Sequence, residues 1–154
     1  EIEHPLNLKV LYNRQYNELS GGELQRVAIG LCLGKEANLY LLDEPSAYLD
    51  VNQRMEAAKV IRRVMEKSST TGLIVDHDIY FIDLVSDSLM VFQGDSSTYG
   101  VGVGPYDLRD GMNTFLKNID ITFRRDLDTK RPRINKPESA KDREQKQKGE
   151  YYYE

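Results

Sequence analysis

This sequence has one cysteine, Cys32, and that scarcity excludes several chemistries. It rules out an intramolecular disulfide framework and any cysteine-rich metal or iron–sulfur site within the chain. Set in the apolar run Val27 to Leu33, Cys32 reads as a buried, inert thiol. Long hydrophobic runs are missing too: no stretch approaches the ~20 apolar residues that cross a bilayer. The start, Glu1-Ile2-Glu3-His4-Pro5, does not resemble a signal peptide. The expectation is a soluble, cytoplasmic chain with no membrane partner.

Two phosphate-binding patterns are also absent. No loop of the form Gly-x-x-x-x-Gly-Lys-Ser/Thr occurs; Gly30 to Lys35 is one residue short and is followed by Glu36. Gly100, Gly102 and Gly104 fail the dinucleotide pattern because Pro105 stands where the third glycine belongs. The chain is therefore expected not to cradle nucleotide phosphates by itself. Excess positive charge is lacking as well. The net charge is −4, which argues against a nucleic-acid-coating protein and against direct DNA binding. Arg124 to Glu154 carries ten basic and seven acidic residues, leaving −7 on residues 1–123. A mildly basic tail follows an acidic body.

The elements that are present alternate. Ser20, with Glu23 three residues on, forms a capping box opening a helix whose apolar positions are Leu24, Val27, Ala28 and Leu31. Asn38 to Leu42 reads as a buried strand ending in Asp43-Glu44-Pro45. Val51 to Lys67 is an amphipathic helix with Val51, Met55, Ala58, Ile61 and Met65 on its apolar face. Thr71 to Val75 reads as a second buried strand, followed by a short helix through Val85, and Ser88 to Phe92 as a third strand. This order predicts an α/β layer with parallel strands. Gly100 to Pro105 reads as turn-rich, and Leu108 to Ile119 as a helix with Leu108, Met112, Phe115, Leu116 and Ile119 inward.

Four groups carry chemistry. The first is Leu19-Ser20-Gly21-Gly22-Glu23-Leu24-Gln25-Arg26. Glycines at a helix start let backbone approach a ligand, and the free N–H groups there favour an anion; a plain capping box is the alternative. The second is Asp43-Glu44 at a strand's C-terminal end, where α/β sheets bind ligands. One carboxylate can hold Mg²⁺ while the other polarises a water, although acidic pairs also end strands with no further role. The third is Ser46-Ala47-Tyr48-Leu49-Asp50, where Asp50 also suits an N-cap. The fourth is His77, between Asp76 and Asp78, which in isolation would be a surface imidazole.

Together these motifs resemble the signature loop, Walker B acid pair, D-loop and switch histidine of ABC ATPases. The resemblance implies the C-terminal portion of a P-loop (RecA-like) nucleotide-binding domain, with a parallel sheet flanked by helices and ATP and Mg²⁺ as cofactors. It implies that Ser20, Gly21, Gly22 and Glu23 meet the nucleotide of an opposing domain and that Asp50 couples the two sites. It further implies that Asp43 serves Mg²⁺, that Glu44 is the catalytic base and that His77 contacts the γ-phosphate. Tyr48 is an extra residue in the D-loop pattern Ser-Ala-Leu-Asp.

The C-terminal stretches Gly111-Met112-Asn113, Ile121 to Asp126, Arg131-Pro132-Arg133-Ile134-Asn135 and Lys141-Asp142 resemble subfamily E, the ribosome-recycling ATPases of the RNase L inhibitor family. That resemblance implies translation-linked ATP hydrolysis and a first nucleotide-binding domain in the same polypeptide. It also implies iron–sulfur clusters outside this chain, and ribosomal subunits and release-factor-like proteins as partners. The expected partition is 1–105 for the partial nucleotide-binding domain, 106–135 for a helix and hinge-like segment, and 136–154 for a polar tail.

Arg124 to Asn135 reads as a docked segment, whereas the last fifteen residues are open between a docked and a solvated, disordered tail. Without upstream strands the sheet is expected to expose an apolar edge. The competing functions are the ATPase subunit of a membrane transporter and a non-enzymatic interaction module.

Overall fold

The structure, a computed structural model, describes residues 2–95, 97–126 and 132–152. The chain forms two compact units, Glu1–Val85 and Ser86–Glu154.

In the first unit, helix α1 (Gly21–Leu33) starts at Ser20 as expected. The Ser20 side chain accepts from the Glu23 N–H, while the Glu23 carboxylate takes the Ser20 N–H at 2.8 Å. The buried stripe is a different one from that expected. Arg26, Ile29 and Leu33 face inward, while Ala28 is exposed and Leu31 is 66% exposed. An apolar residue stands at most positions of this helix, so periodicity does not single out one stripe. Tertiary contact decides it: buried Leu6 lies inside, and its carbonyl accepts from the Arg26 guanidinium at 2.9 Å. Cys32 follows the helix's rotation and is half-buried rather than buried.

Strands β1 (Leu39–Asp43) and β2 (Thr71–Val75) pair in parallel, Leu39 opposite Thr71 and Asp43 opposite Val75. Between them runs α2 (Val51–Ser68), capped by Asp50, whose carboxylate accepts from the Gln53 N–H at 2.9 Å. Ala57, Ala58, Val60 and Ile61 of α2 join Leu6, Ile29, Tyr40, Leu42 and Phe81 in the core. Val51, expected inward, is exposed in the first turn of α2. Helix α3 (Ile79–Val85) completes this unit.

The strands are not buried on both sides, as their apolar runs suggested. Tyr40 and Leu42 are covered, but Leu39, Leu41, Leu73 and Val75 on the other face are 51–64% exposed. What the sequence predicted as an apolar edge is here an apolar face.

In the second unit the expectation of a third parallel strand fails. Strand β3 (Ser88–Asp95) pairs antiparallel with β4 (Tyr99–Asp107), so the stretch read as turn-rich is a strand. Glycine is required near the hairpin's end: Gly94 has φ +151°, and a Cβ there would lie 2.2 Å from the Tyr99 carbonyl oxygen. Helix α4 (Leu108–Asn118) buries Met112 and Leu116, while Ile119 lies just past its end and is 43% exposed.

The chain then continues as β5 (Phe123–Arg125), antiparallel to β6 (Pro132–Ile134), and as helix α5 (Ala140–Lys148). Arg131 and the stretch 127–130 lie outside the described residues. Of the two alternatives left open for the last fifteen residues, the docked one holds for Ala140 to Tyr152. Tyr152 is fully buried, its ring stacked on Phe123 with centroids 5.9 Å apart. Asp142, also buried, accepts from the Thr122 hydroxyl at 2.5 Å and the Glu138 N–H at 3.0 Å. Those donors and Lys146 hold its carboxyl below the usual aspartate range, against the opposing effect of burial. Asn135 donates to Thr122 at 3.0 Å and to Gln145, which in turn donates to the carbonyls of Phe123 and Glu150.

Candidate nucleotide site

Every site residue expected from the sequence lies in the first unit. Asp43 ends β1 opposite Val75, and Glu44 extends the ladder by one bond, its N–H donating to the Val75 carbonyl at 2.7 Å. The chain then turns sharply. Glu44 has φ +46°, a left-handed conformation that costs a residue with a Cβ about 1–3 kcal/mol and tends to cluster at functional loops. Its carbonyl accepts from the Ala47 N–H at 3.0 Å and from the Gln25 amide at 3.2 Å.

The loop after β2 brings His77 alongside. Its Nδ1 stands 3.6 Å from Glu44 Oε1, and both side chains are well exposed. A carboxylate and an imidazole thus meet at the C-terminal ends of two neighbouring parallel strands, open to a ligand. Asp43 is exposed beside them. Among the described residues no group of three His, Cys, Asp or Glu side chains could hold a metal. Mg²⁺ is usually bound by one or two carboxylates together with substrate phosphates, and Asp43 and Glu44 are exposed carboxylates at this strand end.

At the other motif, part of the sequence's bonding capacity is used internally. The Glu23 carboxylate receives the Ser20 N–H and hydroxyl, each at 2.8 Å, and Arg14 at 2.9 Å. The Ser20 groups, led by its backbone N–H, hold Glu23 ionised below the usual glutamate range. The thirteen-residue α1 begins at exposed Gly21 and half-exposed Gly22. Gly22 makes room for the protein's own chain: a Cβ there would lie 2.8 Å from the Tyr48 carbonyl oxygen. The ring of Tyr48 lies over Gly21, where a Cβ would meet its atoms at 3.3–3.5 Å. The extra tyrosine is accommodated by φ +60°, and its side chain is 79% exposed.

Sequence reasoning missed the residues that join these loops. Buried Ser46 donates its N–H and hydroxyl to the Asp76 carboxylate at 3.0 and 2.8 Å. Asp76 also receives the Asp78 N–H at 2.8 Å, and Asp78 pairs with Arg54. Arg54 reaches back to the Leu49 carbonyl at 3.0 Å. The D-loop and the histidine loop are therefore tied by two aspartates flanking His77. The signal was there, in Asp76-His77-Asp78, but only the fold shows which partners those carboxylates find. Asp50 is engaged as the cap of α2.

With the geometry in place, comparison with known proteins extends it. The family model described as "ABC transporter" matches residues 1–47. An uncharacterized ABC transporter ATP-binding protein of Methanocaldococcus jannaschii is 56% identical over 99% of this chain and 26% of its own length. The solved complex of archaeal ribosomal stalk protein aP1 with the archaeal ribosome recycling factor aABCE1 contains a chain 59% identical, with TM-score 0.93. It covers all of this chain and 30% of that one. A model of ribosome-bound archaeal Pelota and ABCE1 gives 55% identity and TM-score 0.95, covering 100% of this chain and 26% of that one. The chain belongs to the ABC ATPases, in their subfamily E, whose members imply use of ATP with Mg²⁺. It spans about a quarter of the length of the curated relatives it matches. Among the described residues no helix is long and apolar enough to cross a membrane.

Proposed function

We propose that this chain is the distal part of the second nucleotide-binding domain of a twin-domain ATPase that splits ribosomes into subunits. It would supply halves of two ATP sites. The observation that carries the reading is the Glu44–His77 pair, 3.6 Å apart at the open end of two parallel strands, in the same unit as the capped signature helix. Residues 106–135 would be the hinge-like segment and 136–154 the polar tail of the partition expected from the sequence.

In its own domain's site, Glu44 accepts the proton of a water that attacks the γ-phosphorus. The bond to the β–γ bridging oxygen breaks and ADP leaves. His77 holds the γ-phosphate and orients that water. Mg²⁺ offsets the phosphate charge and would be held by Asp43. In the opposite site, the Ser20 hydroxyl and the N–H groups of Gly21 and Gly22 receive the γ-phosphate of ATP bound by the first nucleotide-binding domain. For this the Ser20 hydroxyl must turn away from Glu23, whose carboxylate shapes the helix entry, while Asp50 couples the two sites across the domain interface.

The partners in this reading are that first domain, ribosomal subunits and release-factor-like proteins, in the cytoplasm; iron–sulfur clusters belong to parts of the polypeptide outside this chain. The aP1 and Pelota complexes of the relatives support a ribosomal setting. The exposed face of Leu41, Leu73 and Val75 is where the rest of the nucleotide-binding domain would pack.

Two measurements test the proposal. The purified 154-residue chain should show no ATP turnover, and measurable turnover would overturn the half-site reading. Full-length protein carrying Glu44→Gln should lose hydrolysis while still binding ATP. Unchanged turnover would favour an interaction module with a vestigial acid pair.

A further inference from the structure

The signature helix and the acid pair touch each other through one side chain that neither motif accounts for. Gln25 lies on α1, one turn beyond the Ser20–Gly22 entry, and its amide donates to the Glu44 carbonyl at 3.2 Å. Glu44 is the residue whose backbone is forced left-handed, at φ +46°. Among the described residues, the other bond on that carbonyl is the local turn bond from the Ala47 N–H. Tyr48 makes a second link: its carbonyl sits over Gly22 and its ring over Gly21, close enough that neither position has room to spare for a side chain. The segment 44–48 is thus held against the first turns of α1 at both ends. Ser20–Gly22 and Gln25 stand within about two turns of one helix, so they share one rigid element.

We infer that Gln25 is a positioning residue for Glu44, fixing the strained peptide that aims the carboxylate and linking the signature of one ATP site to the acid of the other. This rests on the proposed catalytic role of Glu44. Gln25 touches no reacting atom and acts through the acid's backbone. Loss of its donor removes one of the bonds that fix the Glu44 peptide, so the carboxylate spends less time in the attacking geometry while nucleotide affinity is unaffected.

The test uses the full-length protein with Gln25→Glu, which keeps size but replaces the donor by an acceptor facing the Glu44 carbonyl, and Gln25→Lys, which keeps a donor of similar reach. Gln25→Glu should lower kcat about tenfold, with KM for ATP and Tm unchanged, and Gln25→Lys should stay within about threefold of the parent. In the Glu44→Gln background, Gln25→Glu should slow the residual turnover no further, because the two residues act in one chain of contacts. Parental kcat in Gln25→Glu overturns the inference. So does an equal loss in Gln25→Lys, a loss that tracks a fall in Tm, or a further multiplicative loss on top of Glu44→Gln. If Glu44→Gln alone leaves turnover intact, the catalytic reading fails and this inference falls with it; if it abolishes turnover while Gln25→Glu is silent, only this inference fails.

Discussion

The two units of this chain differ in what they keep in the open around their characteristic strands. In the first, a sheet of two parallel strands leaves Leu39, Leu41, Leu73 and Val75 in the open, with the Glu44 and His77 side chains also exposed at the strand ends. In the second, aromatic residues are sealed, Phe123 on Tyr152, and a carboxylate, Asp142, is buried with donors from Thr122, Glu138 and Lys146. A parallel sheet is ordinarily covered on both faces, so the first unit has more apolar surface than its own residues can cover. The second unit seals the Phe123–Tyr152 pair and Asp142, yet Phe92 and Tyr99 of its hairpin stay exposed. The difference teaches that an apolar strand run can end exposed and a carboxylate in a charged tail can end buried, the reverse of what composition suggests.

The largest effect expected from breaking this contrast is at the open site. Glu44→Gln in the full-length protein should lower ATP turnover about a thousandfold, the middle of the range for removing a general base, with Tm unchanged. Next comes the open face. Leu41→Lys with Leu73→Lys should make the isolated chain less prone to self-association, seen by light scattering. In the full-length protein the same pair should prevent stable folding, since two charges would be buried without partners. A full-length protein that tolerates both lysines would show that this face is solvent-exposed in the whole molecule.

The third test moves to the second unit. Asp142→Asn removes the charge that accepts from Thr122 and Lys146 and should cost about 2 kcal/mol in chemical denaturation, with α5 becoming accessible to protease. The same clamp titrates. The folded-state pKa of Asp142 is depressed, so its stabilisation is fully present above the ordinary aspartate value of about 4 and is lost as pH falls further. Protection of the tail from protease should therefore be flat from neutral pH to about pH 5 and decline only below about pH 4. Smallest is a surface pair: Lys59→Ala, breaking the exposed 2.9 Å contact with Glu56, should change stability by less than about 0.5 kcal/mol.

Legibility in the sequence followed the range of the interaction. Ser20 with Glu23 marks a helix start through bonds three residues long and Asp50 suits an N-cap; both helices start there, and Gln53 completes a second capping box that only the structure shows. The Asp43-Glu44 and His77 motifs stood at strand ends because each follows its own apolar run directly. What failed depended on distant partners. Arg26 points inward because the Leu6 carbonyl waits there, twenty residues away. Gly100, Gly102 and Pro105 look like turn residues yet lie in β4, because β3 supplies the ladder. Asp142, in a run of charge, is buried only because Thr122 and Glu138 converge on it.

The sequence by itself pointed to the class of protein, marked the starts of α1 and α2 and singled out Glu44, His77 and Ser20 as candidates, because each is written in a contiguous string whose chemistry is local. Only the tertiary structure decided that the glutamate and histidine meet at 3.6 Å and that the extra Tyr48 fills the space above the signature glycines. It also decided that Gln25 ties helix to acid and that the tail folds back onto Phe123. Those outcomes depend on which of several chemically similar groups a chain brings within hydrogen-bonding distance. That is settled by packing over the whole unit and not by any one segment.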